Sequence, residues 1–189
     1  MSRQDSRNEL LTKAVAHVGE RGMGDMSLRS LAEAIGTSHR MLIYHFGSRE
    51  RLLADVLQRL RTQEQGVYLA EASRTGRAQM LGLLWKLYSS PGSEGRVRNF
   101  FYVLGLAAQQ PEPYREFLDS LADWADIFRE QGLREGLDEK RAANEAHLLT
   151  WSIRGLLLDL VTSGDRKRVE DAFETLRASL EQEQEQEQD

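Results

Sequence analysis

Apolar residues recur at intervals of three and four along almost the whole chain, and this spacing restricts the fold more than any other feature of the sequence. Such a period places apolar side chains along one face of an α-helix. No segment of useful length alternates apolar and polar residues as a half-buried strand does, and glycines and prolines divide the chain into pieces of helix length. The sequence therefore predicts an all-α protein.

Composition restricts the class of protein further. The chain has 189 residues, 40% of them hydrophobic, which is enough to bury a core. It has no cysteine, so disulfides and thiolate metal sites are excluded and a reducing compartment is expected. The polar N-terminus and the short apolar runs predict neither a secretory signal nor a membrane span, and we expect a cytoplasmic protein.

Charge is divided unevenly along the chain, whose formal net charge is -5. Residues 1–61 contain ten Lys and Arg against seven Asp and Glu, whereas residues 62–189 contain fifteen against twenty-three. The first part is basic and the second acidic. This asymmetry is a weak indication that the first part meets a polyanion and the second does not.

Residues 27–46 have the proportions of a helix-turn-helix motif. Ser27 is a good N-cap for a short helix that stops at Gly36, and Thr37 or Ser38 can cap a second helix after the turn. In this motif the second helix lies in the major groove of DNA, with its first residues at the base edges. The alternative is a surface helix that happens to carry arginine and histidine.

The second helix, HRMLIYHF, has residue types that suit a DNA surface. His39 and Arg40 are long donors in its first turn, where an arginine can pair with both O6 and N7 of guanine. The other candidates are Met41 and Ile43 for thymine methyl groups, and Tyr44 and His45 for phosphates.

The stretch SLRSLAEAIGTSHRMLIYHFGSRERLL, residues 27–53, resembles the N-terminal signature of the TetR family of transcriptional regulators. The matching residues are Leu42, Ile43, Tyr44, His45, Phe46, Gly47, Ser48, Arg49 and Glu50. The resemblance implies a three-helix DNA-binding head followed by a larger helical domain for effector binding and dimerisation. It also implies a homodimer, more often a repressor than an activator, that binds a palindromic operator and is released by a small-molecule effector.

The resemblance further implies that ten residues contact DNA: Ser27, Arg29, Thr37, Ser38, His39, Arg40, Met41, Tyr44, His45 and Arg49. Arg49 would be a phosphate clamp. Two positions depart from the family pattern. Ile43 replaces a tyrosine that commonly touches the DNA backbone, and Arg40 stands where many members have a small residue, so we expect Arg40 to read a base directly.

Twelve of the fourteen aromatic residues lie in residues 62–189. Most of them suit an ordinary core, but aromatic-lined cavities between helices also bind small apolar ligands. Because the resemblance implies an effector pocket in this part of the chain, we expect a small apolar or aromatic effector there. The candidate ligand-binding residues are Trp85, Tyr88, Phe101, Tyr102, Phe117, Trp124 and Phe128.

The predicted helix 138–163 is apolar on two sides. One arc contains Leu149, Ile153, Leu156, Leu157 and Leu160, and the nearly opposite arc contains Leu148, Trp151, Gly155 and Leu158. A helix that is apolar on two sides is buried on two sides, either in a monomeric bundle or between the two subunits of the dimer that the resemblance implies. The helical wheel does not decide which arc faces the partner. We expect the dimer face to be the first arc, through Leu149, Ile153, Leu156 and Leu160.

These observations divide the chain into a DNA-binding domain over 1–55, an effector-binding and dimerisation domain over 56–180, and a disordered Glu/Gln tail over 181–189. No phosphate-binding loop, HExxH motif or nucleophile elbow is found, so we expect no enzyme, cofactor or metal. Two rival classes remain: a helical small-molecule binding protein without DNA-binding activity, and an enzyme built on a helical bundle.

Overall fold

The computed structural model describes residues 2–21, 27–72 and 75–186 of the chain. Ten α-helices and one 3-10 turn form in these residues, and no strand is found among them, which confirms the all-α prediction. The helices are α1 (Arg3–Arg21), α2 (Leu28–Ala34), α3 (His39–Phe46), α4 (Arg49–Ala72), α5 (Arg77–Ser89), α6 (Glu94–Gln109), α7 (Arg115–Asp119), α8 (Asp123–Arg134), α9 (Glu139–Ser163) and α10 (Arg166–Gln186), with the 3-10 turn at Glu112–Tyr114.

Three serines begin three consecutive helices. The Oγ atoms of Ser27, Ser38 and Ser48 each accept a hydrogen bond from the backbone N–H three residues later, at 3.1 to 3.2 Å. These bonds satisfy N–H groups that have no acceptor within the helix. Local sequence therefore determines where α2, α3 and α4 begin, and the predicted caps of α2 and α3 are confirmed.

Glycine sets the two turns on either side of α3. Gly36 and Gly47 have φ values of 71° and 80°, in the left-handed region that residues with a Cβ rarely adopt. The chain can therefore stop α2, begin α3 and stop again within twelve residues. The apolar residues between positions 10 and 18 predict that α1 ends near Gly22, which lies outside the described residues.

The chain forms two compact units. Unit 1 comprises Met1–Glu64 and Arg98–Ser120, and unit 2 comprises Gln65–Val97 and Leu121–Asp189. The functional boundaries expected at 55 and 180 stay a prediction. The expected disordered tail is partly corrected, because α10 continues to Gln186; residues 187–189 lie outside the described part of the chain.

The apolar stripes predicted from the sequence form the core of unit 1. Its buried aliphatic and aromatic residues include Leu11, Ala14, Val15 and Val18 of α1, Leu28 and Leu31 of α2, Leu42 and Phe46 of α3, and Leu52, Leu53 and Val56 of α4. Because α2 and α3 are only seven and eight residues long, their stability depends on this packing rather than on helix propensity.

Unit 2 is built on the pairing of α8 with α9. A Cβ on Gly132 would lie 3.1 Å from Leu137 and 3.3 Å from Ala142, so the absence of a side chain at this position allows close packing. On α5, the Trp85 ring stacks on Phe173 of α10 with ring centroids 4.6 Å apart. None of the described helices is both long and apolar enough to cross a membrane.

Candidate nucleic-acid interface

The helix α3 has one buried face and one exposed face. Leu42 is fully buried and Phe46 is 4% exposed. On the other side, Met41, Ile43 and Tyr44 are 41%, 38% and 56% exposed. Three large apolar or aromatic side chains in a helix of eight residues therefore remain in solvent, which is unusual for a surface that has no partner.

Donors surround these side chains at the start of α3. His39 and Arg40 are both exposed in the first turn, where the helix also presents N–H groups and the positive end of its dipole. Arg29 is exposed on α2. This combination of cationic, N–H and apolar groups can bind phosphate and contact base edges at once.

Nine of the ten residues expected to contact DNA are exposed or half-buried. Ser27, Arg29, Ser38, His39, Arg40, Met41 and Tyr44 are exposed, and Thr37 and Arg49 are half-buried. The hydroxyl groups of Ser27 and Ser38 already accept the capping hydrogen bonds described above. Contact of these residues with DNA stays a prediction.

The expected role of His45 is corrected by its burial. We expected it to donate to phosphate, but it is only 9% exposed and its Nδ1 has no hydrogen-bond partner among the described residues. Its ring lies 5.0 Å from that of Tyr44 and 6.5 Å from that of Phe46. The reason is its position: three residues after Leu42, it belongs to the buried face of α3, a signal that the sequence did contain.

Two arginines of α1, which sequence reasoning missed, contact the end of α3. Arg3 Nη2 donates to the carbonyl oxygen of Tyr44 at 3.2 Å, and the Arg3 guanidinium carbon lies 4.6 Å from the Tyr44 ring centroid. Arg7 lies 5.0 Å from the Phe46 ring centroid and forms an ion pair with Asp55 of α4 at 2.5 Å. Their spacing of four residues, which places them on one face of α1, was the available signal.

Asp55 is an acidic group in an unfavourable environment. Burial raises its pKa from the ordinary 3.8 to about 6, a rise that the charge of Arg7 opposes and that of Glu116 adds to. Asp55 and Arg7 line a cleft of about 480 Å³ within unit 1, bounded by α1, α3, α4 and the segment 112–117. Desolvation thus outweighs the ion pair with Arg7.

Residues 10–56 match the family profile described as bacterial regulatory proteins, tetR family. The match spans the capped helices, the glycine turn and the exposed face of α3. These residues form a TetR-family helix-turn-helix domain. We call residues 10–56 the TetR-type domain. Among curated proteins, none matches the chain significantly.

The fold of the whole chain is that of solved transcriptional regulators. One, from Rhodococcus sp. RHA1 and assigned as such a regulator, has 20% identity and a TM-score of 0.71, over 93% of this chain and 95% of that one. Another, from Saccharomonospora viridis and similarly assigned, was solved with choline; it has 22% identity and a TM-score of 0.63, over 94% and 96%. FadR from Bacillus subtilis, solved with stearoyl-CoA, has 14% identity and a TM-score of 0.54, over 91% and 96%.

The aromatic residues expected to bind an effector are divided between the two units. In unit 2, Trp85, Trp124 and Phe128 are buried, and Tyr88 is half-buried with the Arg96 guanidinium 4.8 Å from its ring centroid. The other three, Phe101, Tyr102 and Phe117, belong to unit 1. The stacking of Trp85 on Phe173 is core packing within unit 2. Effector binding by the seven residues stays a prediction.

In unit 1, Phe100 connects two members of the expected effector set. Its ring centroid lies 5.2 Å from that of Phe101 and 5.8 Å from that of Phe117. Tyr102, by contrast, is 46% exposed, with its hydroxyl 3.5 Å from Glu50. Phe117 is therefore core, and Tyr102 is a surface residue of unit 1.

Three of the four residues that we expected at the dimer face of α9 are buried within the single chain. Leu149, Ile153 and Leu160 are 2%, 3% and 6% exposed within the single chain, and Leu156 is half-buried. Leu149, Ile153 and Leu160 pack inside their own unit and leave little surface for a partner. The opposite arc is the exposed one: Leu148, Trp151 and Leu158 are 63%, 42% and 41% exposed, and Gly155 is exposed as well.

Unit 2 also contains a buried ionic cluster that the sequence did not reveal. The Arg77 side chain is 1% exposed and forms ion pairs with Glu135, at 2.5 Å, and with Glu145. Glu145 also pairs with Arg141 at 2.7 Å. The cluster joins the start of α5 to the end of α8 and to α9, so Glu145 has a structural role. Among the described residues, no three His, Asp or Glu side chains are grouped so as to hold a metal ion.

Proposed function

We propose that this protein is a cytoplasmic transcriptional repressor that binds a palindromic DNA operator as a homodimer and is released by a small effector. The exposed face of α3 carries the proposal. Arg40, Met41 and Tyr44 stand in solvent on the second helix of a helix-turn-helix, whose opposite face is anchored by Leu42 and Phe46.

DNA binding follows from the chemistry of that face. In the major groove, Arg40 would donate to a guanine, and Met41 and Ile43 would contact thymine methyl groups. Arg29 on α2 and the N–H groups at the start of α3 would contact phosphates, which position the protein rather than specify the sequence. One copy of α3 presents few base contacts, and specific binding therefore favours two copies.

The exposed arc of α9 supports association with a second copy. Its residues follow one another at intervals of four, three, four, three and four: Asn144, Leu148, Trp151, Gly155, Leu158 and Thr162. This is the spacing of a helix–helix seam, and none of the six is charged. The Trp151 ring on this arc also has a fixed neighbour. The guanidinium of buried Arg154 lies 4.6 Å from the ring centroid, and the same guanidinium donates a hydrogen bond to the Leu121 carbonyl oxygen at 2.8 Å.

Repression and release are proposed from the two-part design of the chain and from its structural relatives. Choline and stearoyl-CoA, bound by two of those relatives, differ so much that they do not identify the effector of this chain. We propose a small apolar or aromatic molecule that binds in the effector-binding domain. Linkage then requires that operator DNA weaken effector binding by the same factor by which the effector weakens DNA binding.

Selection of genomic DNA fragments by the purified protein tests the proposal. We expect recovery of a palindromic site, and a mobility shift at physiological salt that Arg40→Ala weakens. Arg59→Ala is the matched control, since it removes the same charge from an exposed position on α4 outside the TetR-type domain. If the protein binds small molecules but shifts no duplex, it belongs to the rival class of small-molecule binding proteins without DNA-binding activity.

A further inference from the structure

The first turn of α1 and the last turn of α3 are joined by one side chain. Arg3 Nη2 donates to the carbonyl oxygen of Tyr44 at 3.2 Å, and its guanidinium lies over the Tyr44 ring at 4.6 Å. The two residues are 41 positions apart in the sequence. Arg3 therefore holds both the backbone and the ring of one residue.

The backbone contact answers a need of the helix end. The Tyr44 carbonyl is one of the last four of α3, which ends at Phe46, and such carbonyls have no N–H donor within their helix. The same end carries the negative pole of the helix dipole, which favours a cation. A guanidinium satisfies both conditions because it is always charged and has several N–H donors.

The ring contact concerns an exposed side chain. Tyr44 is 56% exposed, so core packing does little to fix the position of its ring. A cation over its face favours one of them. The neighbouring arginine, Arg7, is different, because it contacts buried Phe46 and pairs with half-buried Asp55.

We propose that Arg3 is a positioning residue for DNA recognition, which fixes the end of α3 and the Tyr44 ring before DNA binds. This inference rests on the proposed function, in which α3 lies in the major groove and Tyr44 faces phosphate. Prior ordering of a contact residue raises affinity by lowering the entropic cost of binding. Arg3 acts through Tyr44 and does not itself touch the DNA.

The test compares Arg3→Gln, Arg3→Lys and Tyr44→Leu in the full-length protein, with operator affinity measured over a range of salt concentrations. Lys13→Gln is the matched control, since it also removes one cation from the surface of α1, where Lys13 pairs with Glu9 of the same helix. We expect Arg3→Gln to weaken operator binding by a dimer about five- to thirtyfold, the magnitude of two exposed cation–π contacts. Arg3→Lys should restore affinity to within about threefold, because an ammonium retains the ring contact.

Three readouts distinguish positioning from other roles. The effect of Arg3→Gln should largely disappear when Tyr44 is already leucine, since contacting residues are non-additive. In the DNA-free protein, the Arg3 Cδ protons should show an upfield ring-current shift in NMR spectra that Tyr44→Leu abolishes. The salt dependence of binding should stay unchanged, because the tyrosine contact releases no counterion.

Other outcomes overturn the inference. A direct phosphate contact by Arg3 would lower the salt slope by about 0.9 per head and would be independent of Tyr44. Equal losses of operator affinity in Arg3→Gln and Lys13→Gln would show that the effect comes from the net charge of α1 and not from the contact with Tyr44. If the wild-type protein binds no duplex, the proposed function fails and the inference with it; if the wild type binds and Arg3→Gln binds equally well, the inference alone fails.

Discussion

The helices α3 and α9 both leave large apolar side chains in solvent, yet their exposed faces differ in charge. The face of α3 mixes Met41 and Tyr44 with the donors His39 and Arg40. The arc of α9 has Leu148, Trp151 and Leu158 with no charged residue among them. Apolar exposure alone indicates a partner, and the charges around it indicate which kind: a polyanion for α3 and a second apolar surface for α9.

The two faces also differ in the length of helix that their contacts need. A base edge offers a few hydrogen-bonding groups and a methyl group, so a short helix with varied side chains is enough. A helix–helix seam must exclude water over several turns, and α9 is accordingly 25 residues long against eight for α3. Four predictions test this contrast, and they are ordered by the size of the expected effect.

The largest effect is expected from Leu158→Glu on α9. At a twofold interface the substitution places two carboxylates in an apolar seam, where burying each costs several kcal/mol. We expect a folded monomer by analytical ultracentrifugation, with operator affinity reduced about a thousandfold or more, towards nonspecific binding. Ala122→Glu, which adds the same charge at another exposed position of unit 2, should remain a dimer. A dimeric Leu158→Glu protein would remove the contrast between the two faces.

Arg40→Ala should change sequence preference as well as affinity. Loss of a bidentate arginine–guanine contact costs about 1–3 kcal/mol and should relax the preference at one base pair in each half-site. The measurement is binding to a library of operators with each base pair varied in turn. Dimerisation should be unaffected, because Arg40 lies on α3. An unchanged base preference would show that another residue reads the DNA.

Asp55→Asn tests the support beneath α3. Because the native pKa of Asp55 is raised from 3.8 to about 6, between these values the native state holds a proton that the unfolded chain has released. The contribution of Asp55 to the free energy of unfolding therefore falls as pH rises through this window. The stability of Asp55→Asn relative to the wild type should therefore rise by about 2 kcal/mol between pH 4 and pH 7.

Urea unfolding at several pH values measures this difference. Asp119→Asn, an exposed carboxylate on α7, controls for the loss of one charge. Leu158→Ala on the exposed arc of α9 changes no ionisable group, so it should not show the same dependence on pH. A constant difference between the wild type and Asp55→Asn would mean that Asp55 ionises normally.

The smallest effect is expected from Arg49→Gln. As a phosphate contact, Arg49 would release counterions without reading sequence, so every duplex should bind more weakly and the salt slope should fall by about one unit per head. Base preference should stay as in the wild type, in contrast to Arg40→Ala. An altered preference at one base pair would show that Arg49 contacts a base edge rather than a phosphate of the DNA backbone.

The parts of the fold that depend on local sequence were predictable. Caps at Ser27, Ser38 and Ser48 act within three residues, and the stripe around Leu42 and Phe46 acts within one helix. For the same reason the helix-turn-helix and its exposed face follow from the sequence, and the burial of His45 should have followed as well.

The parts that depend on distant contacts were not predictable. The choice between the two arcs of α9 is made by the helices that pack on Leu149 and Ile153, and no spacing within α9 contains that information. Arg3 meets Tyr44 and Arg77 meets Glu145 over 41 and 68 positions. A charged residue gives no sign in the sequence of which distant group it will contact.

Unit 1 is assembled from two separate stretches, Met1–Glu64 and Arg98–Ser120, and this has a consequence for synthesis on the ribosome. Arg61 of α4 donates to Ser120 and lies 5.5 Å from the ring centroid of Phe117. These contacts cannot form until more than half of the chain has been translated. The TetR-type domain emerges first, but the nascent protein completes unit 1 only after residues 65–97 of unit 2 have been made.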